Sequence, residues 1–159
     1  MSESRIYPPP WLDETTPVDS SRPRVQGEEF LRQACAAIVL RVAGIYGPGR
    51  DPLEWIKSGR VGRSRRYVNL IHVEDLAGIV LAAFDRGTPG EIYNVADGTP
   101  RTWDEICKTV EERWKVRSST SMPHQGPGKR IDTCKLMREL QPQLSHSDLY
   151  EALAALPRG

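Results

Sequence analysis

The stretch AIVLRVAGIYGPGR, Ala37 to Arg50, decides the fold class. Ile38, Val39, Leu40 and Val42 form a nearly continuous apolar run with β-branched members, and Gly47-Pro48-Gly49 ends it. Such a run predicts a strand buried on both faces, as in a parallel sheet covered by helices. Downstream, YVNLIHV (67–73) reads as a second strand and runs straight into EDLAGIVLAAFDRG. Leu76, Ile79, Val80, Ala83 and Phe84 share one face there at helical spacing, Asp75 suits the positive helix start, and Gly87 suits the stop. EIYNVAD (91–97) reads as a third strand. Thr102 and Glu105 form a capping box for a helix with the stripe Trp103, Ile106, Val110 and Trp114. Upstream, a helix from Glu28 carries Phe30, Leu31 and Ala34 on one face.

The order strand–helix–strand–helix predicts an α/β fold. Residues 1–24 read as an extended N-terminal segment, 25–116 as a partial Rossmann-like core with a substrate-lobe insert, 117–130 as a linker, and 131–159 as C-terminal helices around 132–140 and 148–156. Only about two strands look central, whereas a doubly wound sheet usually has more, so the expected architecture is an incomplete one.

The chain has 159 residues, 38% hydrophobic and 27% charged, with a formal net charge of +1. That balance argues against a dedicated nucleic-acid binder. No apolar run is long enough to span a membrane, and MSESRIYPPPW lacks the apolar core of a secretory signal. Cys35, Cys107 and Cys134 form no close pair, which points to a reducing compartment, cytoplasm or organelle matrix. His124 and His146 have no ligand-spaced neighbours, so no metal site is expected.

Four segments in order carry a family resemblance: WLDETTP (Trp11–Pro17), LRVAGIYGPGR (Leu40–Arg50), IHVEDLAGIVLAAF (Ile71–Phe84) and GEIYNVADGTPRTWDEI (Gly90–Ile106). Together they resemble the C-terminal half of the extended short-chain dehydrogenase/reductases, the NAD(P)-dependent epimerase/dehydratase proteins. The resemblance implies an incomplete Rossmann-type fold: its last parallel strands plus the substrate-side lobe. It places the loop Val42–Arg50 beside nicotinamide and substrate, making Arg41, Gly44, Tyr46, Gly47 and Arg50 candidates there. His72 joins the cofactor sheet to the substrate lobe, and Ser4 and Tyr7 match the end of the strand that brings in a catalytic Ser.

The family's glycine-rich phosphate turn has no match, since the glycines at 44, 47 and 49 are not spaced GxGxxG. The family's Tyr-x-x-x-Lys dyad, aligned on Glu28, falls on Ser20 and Arg24. A serine does not titrate near neutrality as a Tyr of lowered pKa does, so no catalytic residue is assigned. No cofactor is expected for the isolated chain, and NAD(P) is expected only if a partner completes the fold.

Plainer roles compete with these. His72 fits a structural hydrogen-bonder, Asp75 a helix-start stabiliser, and Tyr46 and Tyr93 core-edge aromatics. Arg60, Arg63, Arg65 and Arg66 are either a phosphate patch or a solvated basic run. The first expectation is a truncated family member without autonomous catalysis, a structural or interaction subunit whose sheet edge another chain or a second copy covers. The alternatives are half of a split sugar-nucleotide epimerase/dehydratase, or a binder of nucleotides or phosphate ligands without chemistry.

Overall fold

The run read as one strand is two, separated at Ala43. In the computed structural model, which describes residues 8–118 and 126–158, the elements are β1 (Trp11–Leu12), α1 (Pro23–Cys35), β2 (Val39–Val42), β3 (Gly44–Tyr46), α2 (Pro52–Lys57), β4 (Tyr67–Val68), β5 (Leu70–His72), α3 (Val73–Arg86), β6 (Ile92–Val95), β7 (Arg101–Thr102), α4 (Trp103–Trp114), β8 (Arg130–Ile131), α5 (Cys134–Glu139) and α6 (Leu149–Ala155). β2 pairs in parallel with β6 and β3 in parallel with β5. Ala43 N–H donates to Val95 and the next amide, Gly44 N–H, donates to Asn69, so the strand changes partner within one residue.

The alternation of β5 divides the core. Leu70 enters a cluster with Tyr46, Leu53, Ile56, Ile106, Val110, Leu149 and Leu153. Ile71, pointing the other way, enters a cluster with Ile79, Ala83, Tyr93, Val95, Leu136 and Leu140. The C-terminal helix α6 therefore completes the first cluster rather than standing apart. Asp75 fixes its approach: the side chain is 4% exposed, and its two oxygens accept the Ser145 and His146 N–H groups at 2.8 and 2.9 Å.

Helix ends follow the sequence. Thr102 and Glu105 make the reciprocal capping box of α4, and His72 caps α3. Gly87 ends α3 with an ordinary φ of −69°, not a left-handed one. Glycine is required there by contact, because a Cβ would collide with the Ala83 carbonyl and with Ile38 Cδ1. α1 begins at Pro23, five residues before the expected Glu28, since Pro suits the first turn of a helix.

The expectation of burial on both faces fails for β2, all four of whose positions are half-buried. The expected α3 stripe fails at Phe84, which is 86% exposed, and α1 buries none of its residues, leaving Phe30 68% exposed. Leu40 of β2 and Phe84 of α3 share an apolar groove of about 390 Å³ with Ile38, Val80, Ala83 and Pro89, while Phe30 lies outside it. Among the described residues β6 is the only strand paired with β2, and no helix is long and apolar enough to cross a membrane.

Asp75→Ala removes the buried carboxylate that accepts the Ser145 and His146 amides. It should lower the unfolding free energy by about 3 kcal/mol in urea melts, and a loss near zero would show that this clamp does not hold the C-terminal segment.

Candidate functional site

Glu28 organises a cleft of about 290 Å³ between α1, the end of β2 and the segment 12–18. Its carboxylate accepts from Arg41 Nε at 2.9 Å and lies 3.5 Å from Arg24 Nε. Arg24 and Glu28 are one helical turn apart, while Arg41 reaches in from β2. The cleft holds four cationic side chains (Arg22, Arg24, Arg41 and Lys129) against two carboxylates (Asp13 and Glu28). The Asp13 carboxyl sits below the usual carboxylate range because the Thr15 and Thr16 hydroxyls and amides bond its ionised form. The far wall is Asn94 of β6, whose N–H donates to Glu14 at 2.7 Å and whose side-chain amide donates to the Leu12 carbonyl at 3.3 Å. β1 is held there by its parallel pairing with β8 and by Arg130 over the Trp11 ring at 4.9 Å.

Of the residues singled out from sequence, Arg24 and Arg41 meet at this cleft. Ser4 and Tyr7 lie outside the described residues. Ser20 is exposed in the turn before α1, its carbonyl accepting from Gln26. Gly44 packs, its Cβ position 3.0 Å from Leu70 Cδ2. Gly47 has φ +150°, and a Cβ there would press on Val73. Arg50 donates to the Ile45 carbonyl and lies over Trp55. Tyr46 is wholly buried in the first core cluster. Among the described residues its hydroxyl has no hydrogen-bond partner, and burial raises its pKa far above the ordinary value.

The basic run does not gather round one ligand. Arg63 pairs with Glu111 at 2.9 Å, whereas Arg60 lines a different groove with Trp55 and Arg158. Arg65 and Arg66 are exposed.

Nor does the glycine loop after β3 fit a dinucleotide's pyrophosphate. The helix it enters, α2, opens with Pro52, and Asp51's own carboxylate accepts the Leu53 N–H at 2.9 Å. A carboxylate thus fills the place where a phosphate would meet free amides.

Sequence spacing missed a second constellation. His146 comes to rest on His72, ring centroids 3.8 Å apart and tilted 32°, and its Nε2 lies 2.8 Å from Glu74 Oε2. The ligand atoms of these three residues lie within 4.8 Å of one another, which corrects the expectation that His146 has no neighbours able to share a metal. No local signal marks it, because 72 residues separate His146 from Glu74. His72 is 2% exposed and its Nδ1 accepts the Glu74 N–H at 3.3 Å. Burial, and then the facing His146, hold its pKa below the ordinary histidine value.

No protein-family model matches the chain. Protein YeeZ of Escherichia coli K12 is 32% identical over 148 residues, spanning 86% of this chain and 53% of YeeZ. A functionally unknown conserved protein from Silicibacter pomeroyi superposes with a TM-score of 0.73 at 27% identity, over 94% of this chain and 61% of that one. A Methylobacillus flagellatus protein provisionally classed as an NAD-dependent epimerase/dehydratase gives 0.70 at 26% identity, over 93% and 57%. dTDP-glucose 4,6-dehydratase of Bacillus anthracis, solved with NAD, gives 0.69 at 16% identity, over 91% and 55%.

The fold is that of the NAD-dependent epimerase/dehydratases. The chain spans about half the length of the curated relatives it matches. The mixed α/β architecture expected from the strand–helix order is thus observed, as a part of that larger fold.

Because His72 is harder to protonate folded than unfolded, the unfolded chain binds more protons between the two pKa values. Stability should be level above about pH 7, fall as pH drops through the ordinary histidine value of about 6.5, and level off once folded His72 is protonated too. His72→Asn keeps a capping oxygen and should flatten urea-melt stability across that window. An equally steep fall in the variant would assign the loss to other groups.

Proposed function

We propose that the chain is the substrate-side half of an NAD(P)-dependent epimerase/dehydratase assembly and has no catalysis of its own. It acts as an interaction subunit whose apolar face is covered by another polypeptide segment bearing the glycine-rich, dinucleotide-binding half. The observation that carries this reading is the groove of Ile38, Leu40, Val80 and Phe84 beside β2. A parallel strand is ordinarily covered on both faces, and the chain spans 53% of YeeZ and 61% of the Silicibacter pomeroyi protein. The Asp51-capped start of α2 and the serine in place of the dyad Tyr support the absence of autonomous redox chemistry.

A composite enzyme is the second reading, and the cleft around Glu28 favours it. With four cations against two carboxylates, that cleft suits an anionic substrate such as a sugar nucleotide. In a composite, Arg24 and Arg41 would position the substrate's negative charge, while the nicotinamide supplied by the other half carries the hydride. The covering partner is common to both readings, and only the chemistry separates them.

Calorimetric titration of the isolated chain with NAD⁺ and NADP⁺ should give no binding heat at about millimolar ligand, the weak end of specific affinities. A partner that co-purifies should carry a glycine-rich βαβ unit. Stoichiometric NAD(P) on the chain alone, or turnover of a carbonyl compound by it, would overturn the proposal.

A further inference from the structure

We propose that His72, Glu74 and His146 form a site for one divalent transition-metal ion of the zinc class. Two imidazoles and a carboxylate are a donor set that zinc and its neighbours accept. His146 Nε2 and Glu74 Oε2 share one proton across 2.8 Å. An ion bonded to both at roughly 2.0–2.2 Å holds tetrahedral ligands a little over 3 Å apart. Exchanging the proton for the ion therefore requires only a small opening.

The third donor, His72, stacks against the His146 ring with centroids 3.8 Å apart and must shift toward the other two to reach the same ion. The ligand atoms of the three residues lie within 4.8 Å of one another. His72 is 2% exposed. Its Nδ1 accepts the Glu74 N–H at 3.3 Å, at the long end for a hydrogen bond, and this is the contact the ion displaces when His72 ligates through Nδ1.

The outer shell is built as well. Asp75, 4% exposed, holds the backbone of Ser145 and His146 through both carboxylate oxygens and so fixes the loop that presents the His146 ring. Its negative charge, with that of Glu74, offsets the repulsion a cation meets at the positive start of α3. Three protein ligands leave a fourth position for water or a ligand atom. The bound ion ties the segment leading into α6 to the first turn of α3. This site is independent of the epimerase/dehydratase reading.

The test is a Zn²⁺ titration of the full chain by calorimetry at about pH 7.5, above the ordinary histidine range. Cys35 and Cys134 are replaced by Ser so that thiols do not contribute. One equivalent should bind and raise the unfolding midpoint. Glu74→Ala and His146→Ala should each weaken binding by about tenfold or more and abolish the midpoint shift, while His124→Ala should leave both unchanged. Glu74 has 69% of its side chain exposed, so that variant tests ligation without disturbing the core. No binding, binding that survives both ligand variants, or binding lost with His124→Ala would each overturn the site.

Discussion

Parallel strands demand cover on both faces, and in this molecule β5 has it while β2 does not. On the covered side, α4 and α6 meet the Leu70 face of β5, and α5 meets its Ile71 face. On the other side β2 and α3 show Leu40, Val80 and Phe84 to solvent along a single groove. Exposed apolar side chains are common singly, but a contiguous groove on a strand and a helix marks an interface.

The outer edge of β6 shows what a finished boundary looks like in this fold. Glu14 accepts the Asn94 N–H, Lys135 donates to the Ile92 carbonyl, and β1 with β8 lies across the end. Polar side chains thus replace the missing neighbour strand. The same segment walls the cleft, so the edge closure and the arrangement of Arg24, Glu28 and Arg41 depend on each other. At the other end, Asp75 joins α3 to the loop before α6. One buried carboxylate therefore sets both the packing of the C-terminal helix and the placement of His146.

Local patterns made much of this legible. The strand at 67–73, the Thr102–Glu105 capping box and the glycine stop after β3 are properties of neighbours in sequence. The errors share one physical source. The stripe ending at Phe84 was correctly helical in period, but period says which residues lie together, not whether anything lies on top of them. Tyr46, a ligand-side candidate by resemblance and a core-edge aromatic by its plainer reading, fills the core with its ring. The Glu28–Arg41 pair and the His72–His146 stack are tertiary contacts with no spacing rule to reveal them. Arg60 to Arg66 looked like one patch in sequence, and the chain turns those side chains toward different neighbours.

Sedimentation velocity across a concentration series, with binding of a hydrophobic dye followed in parallel, addresses the bare face most directly. The account predicts that the purified chain self-associates and binds dye, and that Phe84→Glu, at a position 86% exposed, suppresses both without changing its unfolding transition. A dye-free monomer at every concentration would contradict it.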